Sequence, residues 1–429
     1  MMRIAGNAVA KSVKGATARS FATAAGNDVK VAATESHHDD SLTATVSLVV
    51  NAGSRFETVE TTGAAHFLKN WAFRNTVPRT SFRTIREAEL QGATLYSEAT
   101  REHIIYTVEC FKQDVPFFVE VLGDVATATK YAQHEFDQIA KQVHIESASA
   151  RASPVLRVID DLHSAAFRSG LGNSLYAPPS SPIANSEQVK AYAESAFTAP
   201  RVAIIGTGIG AQALTSIVSS SSAFSSLASA ASAPAPSPAK FFGGQSKHAD
   251  VASSVFHYAL GFEAPRDPAT AKVLAELLGT GPRTKWGQGL SPLAQLSSKV
   301  GAQIEAFSIT HSDTGLVGVI IAAPAEKITD VAKQTVEEIK KFASGTLSES
   351  ELQRAVASAR LQLAIESESR SGVRHALIRE SFSQKAATNF DALNTQSVSQ
   401  ALGSLLKSKP SAASFGNALA APYLDTIGF

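Results

Sequence analysis

The chain has 429 residues, of which 44% are hydrophobic and 18% are charged, and its formal net charge is +1. This length exceeds what one hydrophobic core usually supports, so we expect two or three globular domains. The near-neutral charge and the lack of a basic sequence patch argue against nucleic acid as a partner. The single cysteine, Cys110, lies in an alternating strand-like run and cannot form an internal disulfide, which excludes a disulfide-built secreted domain.

Residues 1–21 have the composition of a mitochondrial presequence. Their Ala, Val, Ser and Thr residues, with no acidic residue, can form a basic amphipathic helix. The basic residues are Arg3, Lys11, Lys14 and Arg19. The run RSFAT resembles sites where matrix processing cuts two residues after an arginine, here between Phe21 and Ala22. We expect a targeted precursor, and the alternative is an untargeted tail.

The first half of the chain predicts strands and helices in an α+β order. Alternation in LTATVSLVVNAGSRFE predicts a strand, which is followed by a helix around His66 and a second helix through FRTIREAELQG. After Gly92, the run ATLYSEATREHIIYTVECF predicts a pair of strands, and VPFFVEVLGDVATA predicts a helix. A helix from Gln133 to Ser149 and a late strand in RVAIIGTG complete this half.

The second half repeats this order. The run SSVFHYALGFEAP predicts its first strand, and ATAKVLAELLG and PLAQLSSKVG predict two helices. After Gly301, which holds the place of Gly92, a strand pair is predicted in AQIEAFSITHSDTGLVGVIIAAP. Helices through ITDVAKQTVEEIKKFA and from Ser348 to Glu366, then a late strand SAASFGNA, follow. The pattern predicts two α+β domains of one fold, each a mixed β-sheet packed with helices.

A Ser/Ala/Pro tract separates the two halves. Residues 219–239, SSSSAFSSLASAASAPAPSPA, carry no charge and almost no large apolar side chain, which is typical of a linker. We therefore predict an N-terminal domain at 22–218 and a C-terminal domain at 240–429. No run approaches the roughly 18 apolar residues that a membrane helix requires, so we expect no transmembrane span.

Two short motifs resemble binding sites, but their context is wrong. GTGIGA, Gly206 to Ala211, satisfies the dinucleotide pattern G-x-G-x-x-G/A, yet no Asp or Glu occurs between Glu194 and Asp250 to hold a ribose. We interpret it as a closing strand with a glycine turn that leads into the linker. HHDD, His37 to Asp40, contains four potential metal ligands, and we interpret it as a solvated hairpin loop between two strands.

The helix GAAHFLKNWAFRNT contains part of a zinc motif. In the spacing H-x-x-E-H, two histidines four residues apart share one helical face and ligate zinc, while the glutamate takes a proton from the bound water. This chain has His66 at the first position, but Lys69 replaces the glutamate and Asn70 replaces the second histidine.

With the preceding strand VSLVVNAGSRFE, this helix resembles the start of the pitrilysin-like metallopeptidases, the inverted-zincin family. In that family a later glutamate completes the zinc shell, and the matching helix here, IAKQVHIES, has Glu146 near that position, one residue short of the usual spacing. Ile139 stands where the family has another acidic residue. The segment LHSAAFRSGLGNSLYAP also matches, and the resemblance spans essentially the whole mature chain.

The substitutions argue against a metal. A protonated lysine about 4 Å from Zn²⁺ is repelled by about 8 kcal/mol at an effective dielectric constant of about 20. Asn70 offers a neutral amide oxygen, which is a poor zinc ligand. We therefore expect no metal, no cofactor and no catalysis at His66, Lys69, Asn70 and Glu146, and we expect His66 and Glu146 to make ordinary hydrogen bonds. The alternative is an active zinc peptidase.

Two non-catalytic branches of the family remain as interpretations. One is the presequence-binding subunit of the mitochondrial processing peptidase, but the region LLGTGPRTKWGQGLSPLAQL lacks the long glycine-rich loop of that branch. The other is the core-protein branch of ubiquinol-cytochrome c reductase, respiratory complex III, which the C-terminal run SAASFGNALAAPYLDTIGF resembles. This branch implies a structural subunit that pairs with a homologous core protein 1 near cytochrome b and cytochrome c1. It also implies a peripheral position on the matrix side of the mitochondrial inner membrane.

Overall fold

The computed structural model describes residues 20–23, 29–35, 41–227, 237–249, 255–281, 289–382, 388–417 and 420–429. Three of the predicted features lie wholly or partly outside these residues. They are the presequence 1–21 except its last two residues, the HHDD run, and residues 228–236 of the linker.

The first half forms a six-stranded sheet in the order β1-β2-β6-β3-β5-β4. Its strands are β1 Ser20–Thr23, β2 Lys30–Thr34, β3 Thr43–Val50, β4 Thr94–Ala99, β5 Ile104–Phe111 and β6 Val202–Thr207. β2 runs parallel to β6, and the other neighbouring strands are antiparallel. The central strand β3 is buried along nearly its whole length, as expected for a strand covered on both faces.

The second half forms a five-stranded sheet in the order β7-β11-β8-β10-β9. Its strands are β7 Gly244–Ala249, β8 Val255–Glu263, β9 Gln303–Thr310, β10 Gly315–Pro324 and β11 Ser411–Gly416. β7 runs parallel to β11, and the other neighbours are antiparallel. The order and directions match β2-β6-β3-β5-β4 strand by strand, which confirms the predicted internal repeat and the α+β class.

Helices accompany both sheets, and the predicted helices are all present. In the first half they are α1 Ala64–Asn70, α2 Ser81–Leu90, α3 Val115–Thr127, α4 Gln133–Ala152, α5 Pro154–Phe167, α6 Ser186–Ala196, α7 Ala211–Ser220 and α8 Ser222–Ser225. In the second half they are α9 Pro268–Leu278, α10 Pro292–Val300, α11 Ile328–Ser344, α12 Glu349–Glu368, α13 Arg370–Phe382 and α14 Thr395–Lys407. No helix in the described ranges is both long enough and apolar enough to span a bilayer.

One helix from each half packs on the sheet of the other half, so the halves exchange helices. From the first half, α5 places Leu162 and Phe167 against Ala259 of β8 and Ala413 of β11. From the second half, α13 packs its buried Leu377 and Ile378 on a cluster in the first sheet. That cluster consists of Ala32, Val49, Ile105, Ala203 and Ile205. The exchange buries the second face of each sheet, so the two halves cannot separate without exposing apolar surface.

Two predictions about connections are wrong. The strands that flank the HHDD run, β2 and β3, do not pair with each other as a hairpin, because β6 lies between them and hydrogen-bonds to both. The linker does not begin at Ser219, because α7 continues to Ser220 and α8 follows, with the Phe224 ring fully buried in the first core. Phe224 and Leu227, the two large apolar side chains of this tract, both lie in the first core and anchor the segment there.

The GTGIGA run forms the predicted closing strand and glycine turn, but a helix follows it. β6 ends at Thr207, Gly208 turns the chain with a φ of +80°, and α7 begins at Ala211. The prediction that the chain runs straight into the linker is therefore wrong. A side chain at Gly210 would collide with the Glu35 carboxylate, so protein atoms fill the space next to this turn.

A charge cluster around the buried Arg55 joins the two halves. We call Arg55, Glu102, Ser312 and Asp313 the interdomain charge cluster. Nη1 of Arg55 lies 2.7 Å from Oε1 of Glu102 and 2.9 Å from Oδ1 of Asp313, and Nη2 lies 2.6 Å from Oδ2 of Asp313. Arg55 also donates to Ser312 Oγ, while the Ser312 backbone N–H donates to Glu102 at 3.0 Å. One guanidinium thus holds a first-half and a second-half carboxylate together.

Two buried histidines meet beside this cluster. Nδ1 of His163 lies 2.7 Å from the carbonyl oxygen of Ile159, so Nδ1 carries the proton of the neutral ring. Nε2 of His163 then accepts from Nε2–H of His311 at 3.3 Å. Burial and the nearby Arg101 together lower the pKa of His163 to about 2 and that of His311 to about 4, although Glu102 raises the pKa of His311. Both rings are therefore neutral near pH 7.

We expect the chain to lose stability as the pH falls from about 6.5 to about 4. An unfolded histidine has a pKa of about 6.5, so in this window the unfolded state binds protons that His311 in the folded state does not. The measurement is urea unfolding at pH 7.5 and pH 5 for the wild type, His311→Gln and His134→Gln, the last being an exposed control. His311→Gln should lose less stability on acidification than the other two proteins. Equal losses in all three would contradict this assignment.

Candidate functional site

The helix α1 is fixed in place at its N-terminus by glycine and a buried carboxylate. Gly63 begins it with a φ of +94°, and a side chain there would approach Cβ of Ala177 to 2.8 Å. The Glu57 carboxylate accepts the backbone N–H groups of Gly63 at 3.0 Å and Ala65 at 2.8 Å. Burial raises the pKa of Glu57 to about 7, although these two hydrogen bonds lower it.

The apolar face of α1 lies against α4. The Phe67 ring stacks on the Phe136 ring of α4, with ring centroids 5.3 Å apart. This contact aligns the two helices so that His66, Lys69 and Asn70 of α1 face Glu146 of α4, which is about 80 residues away in sequence. All four residues selected from the sequence therefore meet at one place.

Four side chains donate hydrogen bonds to the Glu146 carboxylate. Nε2 of His66 lies 2.7 Å from Oε2, and Nδ2 of Asn70 lies 3.0 Å from the same oxygen. Nζ of Lys69 lies 3.0 Å from Oε2 and 3.2 Å from Oε1. Nε2 of Gln142 lies 3.2 Å from Oε1. We call these five residues the Glu146 cluster.

The Glu146 cluster holds the carboxylate ionised. Partial burial raises the pKa of Glu146, but hydrogen bonds from Asn70, His66, Gln142 and Lys69 outweigh it and lower the pKa to about 2. His66 is neutral, because its burial lowers its pKa more than Glu146 raises it. The site is a carboxylate surrounded by donors, with no free base positioned to activate a water molecule.

A second segment covers the cluster from the other side. The backbone N–H of Ala177 donates to Nδ1 of His66 at 3.2 Å, and the Tyr176 ring packs edge-on against the imidazole with centroids 5.5 Å apart. Since Nδ1 accepts a hydrogen bond, the neutral ring carries its proton on Nε2 and donates it to Glu146. The run LHSAAFRSGLGNSLYAP, which resembles the zincin family, ends at this cover.

These residues do not fit a zinc ion. Zinc requires unprotonated imidazole nitrogens, thiolates or carboxylates, and a structural or catalytic site needs at least three protein ligands. Here the His66 Nε2 carries a proton, Lys69 is a cation, and the Asn70 amide donates to Glu146. Across the described part of the chain, no three His, Cys, Asp or Glu side chains are grouped so that they could hold a metal ion.

Sequence reasoning missed Gln142, Glu57 and the Ala177 backbone. Gln142 stands four residues before Glu146 on α4, and this helical spacing was a signal that could have identified it. The contact made by a backbone N–H of Ala177 has no side-chain signature. Ile139, which occupies the place of the second acidic residue of the family, is fully buried in the first core and takes no part in the site.

Comparison with known proteins shows which family has this architecture. The family model "Insulinase (Peptidase family M16)" matches residues 31–179, and the model "Peptidase M16 inactive domain" matches residues 184–359. Together they cover most of the first half and the second half as far as residue 359, and they confirm the resemblance to the inverted zincins.

The similar proteins are mitochondrial. The chain is 36% identical to the mitochondrial cytochrome b-c1 complex subunit 2 of Cryptococcus neoformans var. grubii, over 99% of both chains. It is 31% identical to the subunit 2 of Yarrowia lipolytica, over 96% of this chain and 97% of that protein. A probable mitochondrial-processing peptidase subunit alpha-1 of Arabidopsis thaliana is 27% identical, over 90% of this chain and 80% of that protein. The chain therefore belongs to peptidase family M16 and, within it, is similar over its whole length to the cytochrome b-c1 complex subunit 2 proteins.

Proposed function

We propose that this chain is a non-catalytic structural subunit of ubiquinol-cytochrome c reductase, respiratory complex III. The observation that carries the proposal is its full-length similarity to proteins named as subunit 2 of that complex. The Glu146 cluster supports the non-catalytic part, because hydrogen bonds within the chain satisfy the positions that hold metal and base in a zincin.

In this role the chain provides interaction surfaces for the other subunits of the complex. It pairs with the homologous core protein 1 and contacts cytochrome b, cytochrome c1 and other subunits, as a peripheral protein on the matrix side of the mitochondrial inner membrane. The exposed large apolar side chains support an assembled state, since obligate interfaces are usually large and apolar. The most exposed are Leu42, Val59, Val77, Phe82, Leu90, Ile145, Leu290 and Tyr423.

Residues 1–21 act in this proposal as a presequence that is removed after import. N-terminal sequencing of the chain from mitochondria should then begin at Ala22. We place the N-terminal domain at 22–218 and the C-terminal domain at 240–429, and the first residues of the intervening tract pack on the N-terminal domain through Phe224.

A native gel tests the assembly directly. Mitochondrial membranes are solubilised in mild detergent, separated without denaturation, stained for haem and probed for this chain. The chain should migrate in the band that carries the b and c1 haems and should carry no peptidase activity of its own. Migration only as a free protein or a haem-free dimer would sink the proposal.

The second candidate is a presequence-binding subunit of a processing peptidase, which the similarity to the Arabidopsis alpha-1 subunit favours. It predicts that the purified chain captures basic amphipathic peptides and supports their cleavage by a catalytic partner. The native gel distinguishes the two candidates, because this second function requires no association with haem proteins.

A further inference from the structure

The Lys69 ammonium, in the last turn of α1, connects this helix to α4 through Glu146. Its Nζ is nearly equidistant from the two Glu146 oxygens, at 3.0 and 3.2 Å, and bridges both. The side chain is 20% exposed and that of Glu146 is 25% exposed. This contact is more enclosed than an ordinary surface ion pair.

Within the Glu146 cluster, Lys69 is the cation. His66 is neutral with its proton on Nε2, and the amides of Asn70 and Gln142 carry no charge. Of the four side chains that donate to the carboxylate in the described structure, Lys69 therefore supplies the compensating positive charge. Removing it would leave a half-buried carboxylate held only by neutral donors, which costs free energy.

A tethered ammonium also competes well with ions from solution. It is part of α1, so it meets Glu146 at a high effective concentration, whereas a dissolved ion loses translational freedom on binding. A divalent ion would have to displace it from the carboxylate and would then be repelled by it. The negative charge of Glu146 is thus balanced by a lysine of the same chain.

We propose that Lys69 is an internal counter-cation, which takes the place of a bound metal ion by fastening α1 to α4 through Glu146 and excluding divalent cations from this position. This inference goes beyond the proposed assembly role and does not depend on it. It assigns to Lys69 a structural function, and it makes the identity of residue 69 decide whether the cluster accepts an external ion.

The fastening is tested with Lys69→Gln in the purified full-length chain. Glutamine keeps a polar stem of similar reach but carries no charge. The matched control is Lys190→Gln, since Lys190 is 44% exposed and lies 3.8 Å from the 76% exposed Glu187. In metal-free buffer Lys69→Gln should lower the midpoint of thermal unfolding, and Lys190→Gln should leave it unchanged. An unchanged midpoint for Lys69→Gln overturns the fastening role.

The exclusion is tested by zinc binding to Asn70→His and to the double variant Lys69→Gln/Asn70→His. Both contain His66, a second histidine one helical turn later and Glu146, so they differ only in the ammonium. Zinc is present during refolding, and the affinity is measured by competition with a zinc chelator of known affinity, so a variant that needs the ion to fold is still recovered.

The double variant should bind one zinc ion per chain at least about 100-fold more tightly than Asn70→His, and zinc should raise its unfolding midpoint. Equal affinities would show that the ammonium does not exclude the ion. If the double variant binds no zinc, whether or not it folds, the cluster does not become a cation site when the ammonium is removed. Either result overturns the proposal.

Discussion

Replacing Arg55 with methionine is expected to destabilise the chain by about 3–5 kcal/mol, because breaking a buried ion pair leaves uncompensated charges in the interior. The Arg55 side chain is 4% exposed and that of Glu102 is 12% exposed, so water cannot readily solvate the remaining carboxylate. Asp313 lies in the other half of the chain and would lose both of its contacts to the guanidinium. The loss therefore falls on the contact between the halves.

Arg360→Met is the matched control for this prediction. Arg360 pairs with Asp391 at 2.5 Å, but the two side chains are 52% and 86% exposed, and such surface pairs contribute about 0–1 kcal/mol. Urea unfolding followed by circular dichroism measures both variants. If Arg55→Met costs no more than Arg360→Met, the interdomain charge cluster does not hold the halves together.

Replacing a buried leucine on one of the exchanged helices, α5 or α13, is the second change with a large expected effect. Leu162 on α5 is fully buried in the cluster that covers the second sheet. Leu162→Ala should cost about 2–5 kcal/mol, because a cavity forms where the surrounding structure cannot fully collapse. Leu377→Ala on α13 should cost a similar amount, since Leu377 is fully buried in the reciprocal contact.

The control for α5 is Leu156→Ala, on the same helix at a position that is 50% exposed, and it should cost well under half as much. Limited proteolysis gives an independent measurement. Leu162→Ala and Leu377→Ala should both be cleaved faster than the wild type between the two halves. If cleavage is unchanged and both variants lose no more free energy of unfolding than Leu156→Ala, the exchanged helices do not hold the halves together.

Local patterns predicted the elements well because they depend on neighbouring residues. The alternation in TATVSLVV and the glycine that follows the helix at Gly301 identify their elements without tertiary information. The same reasoning applied twice revealed the repeat. The pairing of His66 with Glu146 could also be predicted, because the family resemblance supplied the spacing between their two helices.

Non-local features had no such signal. The position of β6 between β2 and β3 joins segments about 150 residues apart in sequence, so the HHDD run looked like a hairpin loop. The exchange of α5 and α13 likewise has no local signal, because it depends on which face of each folded sheet remains exposed. Arg55 meets Asp313 across a sequence separation of 258 residues, and a single arginine near a turn does not indicate such a partner.

The fold keeps the frame of a zinc peptidase while the chemistry of the site differs. Glu57 fixes the start of α1, the segment at Tyr176 and Ala177 covers the helix, and Glu146 faces His66. Within the H-x-x-E-H spacing, Lys69 and Asn70 are the two side chains that depart from the zinc motif. A chain of this kind is suited to act through its surfaces, which is the role proposed for it in the respiratory complex.

The zinc content of the wild-type chain distinguishes an internal lysine counter-cation from a bound metal ion. The purified chain is refolded with excess zinc, dialysed against metal-free buffer and measured by mass spectrometry beside His66→Ala. The wild type should retain less than about 0.1 zinc per chain, the same as the variant, because its own lysine occupies the cation position. One zinc ion per wild-type chain, lost in His66→Ala, would contradict the account.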